Sequence, residues 1–90
     1  MAFAHRYYVV TPLGKVNVGW KVFLSHREVK NISTGASALS AILAPTGIGT
    51  TAIVAIQAAG LALKAIDRLG GNDGVKIVYL RTGGAWVEPR

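Results

Sequence analysis

Between Lys30 and Lys64 the chain carries no charged side chain. The stretch NISTGASALSAILAPTGIGTTAIVAIQAAGLAL is polar only through Asn, Ser, Thr and Gln, and every acid and base of the protein lies outside it. A helix on the surface of a soluble domain shows a charged or polar face at every turn, and one that is apolar all round is buried in protein or in lipid. The rest of the chain must therefore cover, solubilise or deliver this segment. At 90 residues the chain makes one domain, residues 1–90, and a soluble domain of this size hides only about 60–65% of its unfolded surface. Yet 51% of the residues are hydrophobic and only 16% are charged, against about 25% charged in an ordinary domain. This surplus predicts further cover, from copies of the chain or from a membrane.

The flanking segments read as strands. Tyr7 to Val10 is a short β-type run, and Thr11-Pro12-Leu13-Gly14 suits a type I turn. Beyond it Val16, Val18, Trp20, Val22 and Leu24 alternate with Lys15, Asn17, Gly19 and Lys21, predicting a β-hairpin over residues 6–11 and 15–24 with one buried face. Ser25-His26-Arg27-Glu28 is a capping box, so a helix should start near His26. Gly35 weakens that helix and Pro45 ends it at or before Ala44. A second helix is expected from Thr50 to Leu69, about 30 Å long, with Gly70 and Gly71 supplying a left-handed cap. Val75 to Arg81 and Ala85 to Val87 complete the pattern as two more strands around Thr82-Gly83-Gly84. The expected fold is α+β, a small antiparallel sheet in the order β-β-α-α-β-β with a central hydrophobic helical hairpin. Its three parts would be a β-hairpin over 1–25, the helical hairpin over 26–70 and a C-terminal β-hairpin over 71–90.

Catalytic chemistry has little to stand on. Gly47-Ile48-Gly49-Thr50-Thr51-Ala52 matches a dinucleotide-binding glycine pattern, with Asp67 at about the right distance behind it. The run before it belongs to a helix rather than a strand, and 90 residues cannot house the two-halved fold such a site needs. The glycines are read as a tight turn between helices, and no cofactor is expected. His5 and His26 have no carboxylate at ligand spacing, so no metal site is expected, and His26 reads as a polar first-turn residue. The acids Glu28, Asp67, Asp73 and Glu88 are scattered, with no pair or triad among them. With no cysteine, disulfides and thiolate sites are excluded. The expectation is a protein that is not an enzyme and takes no small-molecule substrate.

Small residues recur every fourth position: Ser33, Ser37 and Ala41; Ala36, Ser40 and Ala44; Ala55 and Ala59; Ala58 and Ala62. That spacing lets helix backbones approach closely. Leu39, Ile42, Leu43, Ile53, Val54, Ile56, Leu61 and Leu63 fill the other faces; Leu39, Ile42, Leu43, Ile53, Ile56 and Leu63, with Ala55 and Ala59, are the expected membrane or oligomer contacts. The net charge is +6 and the isoelectric point about 10.2, which favours an anionic partner. Lys15, Lys21, Lys64 and Arg68 are the expected contacts with an anionic surface. Nucleic acid fits less well, because a basic stripe interleaved with aromatics is sparse here. MAFAHRYYVV lacks the pattern of a cleavable signal peptide, so the expectation is membrane association or leaderless secretion.

In this texture the chain resembles the small, basic, alanine- and glycine-rich bacteriocins that act on membranes. The run ASALSAILAPTGIGTTAIVAIQAAGLAL also resembles the hydrophobic helical hairpin of pore-forming colicins. The resemblance covers roughly residues 31–69, rests on no specific motif and assigns no residue a role. It implies an antibacterial or toxin-like protein acting by insertion and oligomerisation. The expected function is thus membrane activity through the uncharged hairpin, each helix close to the ~20 residues that span a bilayer. The alternative is a soluble homo-oligomer subunit whose hairpins pack against one another.

Overall fold

The structure, a computed structural model, describes residues 2–32, 36–59 and 62–90. Strong β-type alternation at the N-terminus yields two long antiparallel strands, β1 (Phe3–Thr11) and β2 (Gly14–Leu24). Their turn is closed by the Thr11 side chain, whose hydroxyl donates to the Gly14 carbonyl at 2.7 Å and accepts from the Leu13 N–H at 3.2 Å. The C-terminal strands are β3 (Val75–Leu80) and β4 (Ala85–Pro89). All four form one antiparallel sheet in the order β1-β2-β3-β4. The two hairpins are thus zipped together through β2 and β3, from Gly19 opposite Leu80 to Leu24 opposite Val75.

Between β2 and β3 the described residues form four short helices: α1 (His26–Ile32), α2 (Ala36–Leu43), α3 (Thr50–Ala58) and α4 (Leu63–Leu69). A 3₁₀ turn over Ala44–Thr46, with Pro45 inside it and Gly47 left-handed behind it, separates α2 from α3. The helices cover one face of the sheet. The core brings together Val22 and Leu24 of β2, Val75 and Ile77 of β3, Val29 of α1, Leu39 and Leu43 of α2, and Ile53 and Ile56 of α3. Leu63 of α4 and Ile48 join it, and Trp20, Tyr79 and Val87 pack at its margin. Each such Leu, Ile or Val contributes about 1.5–3 kcal/mol by leaving water.

The α+β class is as expected, but the β-β-α-α-β-β order with one central hydrophobic helical hairpin is corrected. The observed order is β-β-α-α-3₁₀-α-α-β-β, on a single sheet. The expected second helix does not form as one rod. The first expected helix corresponds to the described segments α1 and α2; the residues between them, Ser33 and the expected weak point Gly35 included, lie outside the described residues. The second is divided at Ala62, whose φ of −81° and ψ of 65° are not helical. The neighbouring positions 60 and 61, Leu61 of the expected apolar face among them, are likewise outside the described residues. Short segments can each turn one apolar edge to a twisted sheet, whereas two 30 Å rods would leave most of their apolar surface uncovered. Among the described residues no helix is long and apolar enough to cross a membrane.

On the opposite sheet face Phe3 and Phe23 stack at 4.9 Å, His5 meets both edge-on, and the Arg90 guanidinium lies 5.2 Å from the Phe3 ring. The cation of Lys76 faces Glu88 at 3.8 Å on the same side. This face is closed by stacked rings and paired charges rather than by a second layer of helices.

Candidate functional site

Two places on the molecule leave chemistry unspent, and they lie at opposite ends of β2. The first is built around Asp67. Leu63 and Asp67 stand one turn apart on α4, and both are buried, so the acid sits where helical periodicity calls for an apolar residue. A buried carboxylate must be paired or hydrogen-bonded, and both of its oxygens are. Oδ1 accepts from the Gly74 N–H at 2.8 Å, and Oδ2 meets His26 Nδ1 at 2.5 Å. Its main-chain carbonyl also accepts from the Asn72 N–H at 2.9 Å. Gly74 is required there: φ is +98°, and a Cβ would stand 2.2 Å from the Leu24 carbonyl oxygen. The backbone of β3 thus enters the sheet against the end of β2, with its N–H turned to Asp67.

His26 is held from one side only. Nδ1 serves Asp67, the side chain is 41% exposed, and Nε2 has no partner among the described contacts. The ring borders a cleft of about 250 Å³ that is also lined by Lys30, Lys64, Arg68 and Asn72. Lys64 and Arg68 lie one turn apart on α4 and so project from the same side. Asn72 is the single described non-glycine residue with positive φ, 63°, a conformation asparagine tolerates better than most residues. Glu28, on the same helix as His26, belongs to the cap instead. It accepts from the Ser25 N–H at 2.9 Å, while its own N–H donates to Ser25 Oγ at 3.2 Å. Burial alone would push the Glu28 carboxyl up, but the bonds from Ser25, together with one from the Ala2 N–H, outweigh it and hold the pKa below the ordinary 4.5.

The second place is the far end of the β1–β2 hairpin. At Tyr7/Tyr8 the register slips: Tyr7 pairs with Gly19 but Tyr8 with Asn17, leaving Val18 as a bulge. A Cβ at Gly19 would lie 1.8 Å from the Tyr79 carbonyl oxygen, so β2 and β3 approach there as only glycine permits. Beyond that point β3 ends and β1 and β2 continue alone as a two-stranded ribbon, within a molecule 43 Å long. The ribbon leaves Leu13 99%, Val10 77%, Val16 48% and Tyr8 46% exposed. Lys15 lies on the ribbon and Arg6 and Lys21 stand at its root, where β2 still pairs with β3; these bases are the charged residues of the first 24 positions. The Lys21 ammonium lies 4.6 Å from the Tyr7 ring, and the Arg6 guanidinium 5.7 Å from the Trp20 ring.

The residues expected to contact lipid or a partner subunit fall mostly inside the protein. Leu39, Leu43, Ile53, Ile56 and Leu63 are core, Ile42 packs against it, Ala55 is half-buried and Ala59 is exposed. Ser40, of the small-residue pattern, accepts from the Gln57 amide at 3.0 Å and ties α2 to α3. The four cations expected to share one anionic contact are divided. Lys15 lies on the ribbon, Lys21 at its root where β2 still pairs with Val78 of β3, and Lys64 and Arg68 line the cleft. The ten residue steps from Gly14 to Leu24 set these ends ~33 Å apart. Sequence reasoning missed the His26–Asp67 pair, which spans 41 positions. The available signal was Asp67 itself, an acid on the face that Leu63 marks as buried. No protein-family model, curated protein or solved structure matches the chain.

Proposed function

We propose that the protein is a small basic protein that docks on anionic membrane surfaces, and that the β1–β2 ribbon makes the contact. The supporting observation is the coincidence on one hairpin of an exposed apolar tip, Lys15 beside it, two further bases, Arg6 and Lys21, at its root, and no acid. Leu13 and Val10 at the tip would each gain about 1.5–3 kcal/mol on entering an apolar environment. Lys15 and Lys21 would add about 1 kcal/mol each near an anionic surface, screened by salt within about a Debye length. A nucleic-acid ribbon would place cations where Leu13 and Val10 stand. Insertion of the helical hairpin has no part in this reading, because Leu43 and Ile56 are spent on the core.

Vesicle co-sedimentation tests it. Wild type is expected to bind phosphatidylserine-containing vesicles better than neutral ones, with the preference fading as salt rises. Lys15→Glu with Lys21→Glu should lower anionic binding at least about tenfold at low salt, two charges at about 1 kcal/mol each being the minimum loss. Leu13→Asp should lower binding to both kinds of vesicle. Equal wild-type binding to neutral and anionic vesicles at every ionic strength would overturn the reading, as would no binding to either. A wild-type dimer in sedimentation velocity that Leu13→Asp dissociates would replace it with the homo-oligomer, the tip being then covered by a second copy.

A further inference from the structure

We propose that the cleft beside His26 is a binding site for a phosphomonoester dianion. This inference does not rest on the ribbon, which lies at the other end of β2. The cleft, about 250 Å³, falls below the ~300–1,000 Å³ of sites for drug-sized ligands and suits a small anion or the phosphate end of a larger molecule. Its charge points the same way. Lys30, Lys64 and Arg68 line it against one carboxylate, Asp67, and that carboxylate is turned inward with both oxygens engaged by Gly74 and His26. Lys64 and Arg68 are therefore not paired with the acid beside them.

The geometry of the donors favours phosphate over carboxylate. Arg68 offers a planar fork that matches two phosphate oxygens, and Lys64, one turn away, offers a point charge to a third. Asn72 brings a side-chain amide to the same wall. The bond from Nδ1 to Asp67 fixes the His26 ring at the edge of the cleft, where Nε2 donates to a phosphate oxygen in the doubly protonated ring. A carboxylate, with two oxygens, would leave part of this set unused. Phosphate could arrive as a soluble phosphomonoester or as the headgroup of a lipid such as phosphatidic acid; the donors recognise the same group in both.

The test is a titration of the full, ¹⁵N-labelled chain with inorganic phosphate at constant ionic strength, chloride replacing phosphate in the control. Saturable shifts are expected at the amides of Lys64, Arg68 and Asn72 and at the His26 ring nitrogens, with half-saturation in the millimolar range. Lys64→Ala with Arg68→Ala, two exposed positions outside the core, should weaken binding at least tenfold while the thermal midpoint stays within a few degrees. Lys15→Glu with Lys21→Glu should leave phosphate binding unchanged, so failure here and failure of the ribbon reading are separable. Glycerol 3-phosphate and phosphatidic acid vesicles then distinguish the sources. Shifts at the cleft with the first alone assign a soluble ligand, and shifts with both admit the lipid. Equal shifts in chloride, unchanged phosphate binding by the Lys64→Ala/Arg68→Ala protein, or saturable shifts confined to other residues would overturn the proposal.

Discussion

Asp67 holds more of this molecule together than any other polar residue described. Through its carboxylate it joins the start of α1 to α4 and to the entry of β3, and through its carbonyl it closes the turn at Asn72. Its removal leaves the Gly74 N–H buried without an acceptor, a loss of about 1–3 kcal/mol for that group alone. Asp67→Ala is expected to cost on the order of 3 kcal/mol in urea denaturation, since the His26 contact goes as well. Asp67→Asn keeps a side-chain acceptor for one of the two donors and should cost less. An Asp67→Ala protein within about 0.5 kcal/mol of wild type, the range of an ordinary surface substitution, would mean that the pair does not brace the fold.

The individual elements are short, so their ends decide much of their stability. Helix α1 has seven residues, well under the ~12–15 that an isolated helix needs in water, and it stands on its capping box and on Val29 in the core. Ser25→Ala should cost about 0.5–2 kcal/mol. The carboxylate of the box adds a pH dependence with a definite sign. Glu28 has a folded pKa held below 4.5, so its contribution is complete above the unfolded value and is lost as pH falls through the lower folded one. Wild type should therefore lose more thermal stability than Glu28→Gln between about pH 6 and about pH 3. Thermal midpoints that fall in parallel for the two proteins would contradict this. The ribbon is the opposite kind of element, long but unsupported beyond Gly19. It includes Asn17, whose side-chain amide is buried with no hydrogen-bond partner, an arrangement that costs about 1–3 kcal/mol and marks the ribbon as poorly optimised for stability.

At the scale of the whole molecule, sheet and helices are one cooperative unit, because the core draws on β2, β3 and all four helices at once. Ile56 is 1% exposed at its centre. Ile56→Lys would bury an unpaired charge, one of the few changes that costs more than about 4 kcal/mol, against a total of about 5–15 kcal/mol for a domain. Helix and strand signals in circular dichroism should therefore fall together, with a much lower thermal midpoint. Retention of the strand signal alone would show that the helical layer is an independent body, free to leave the sheet for lipid.

Local rules were enough to read the strands of the β1–β2 hairpin, the Ser25–Glu28 cap, the break at Pro45 and the strand character of Val75 to Leu80, since alternation, capping and turn chemistry act over a few residues. They did not show the bulge at Val18, which turns Val16 out of the face expected to be buried. The uncharged stretch was read as buried on every side, whereas Leu39, Leu43, Ile53 and Ile56 are buried and Val54, Ala58 and Ala59 are exposed. What it was buried against was not legible: an apolar side chain loses water equally in lipid, in a partner or under its own sheet, and only the tertiary structure put Leu43 and Ile56 under β2 and β3. The same holds for charge. Lys15, Lys21, Lys64 and Arg68 are alike as letters, and the fold set Lys15 on the ribbon, Lys21 at its root and Lys64 and Arg68 at the cleft. His26 and Asp67 became partners only when the chain folded back across 41 positions, because a hydrogen bond depends on distance in space and leaves no period along the sequence.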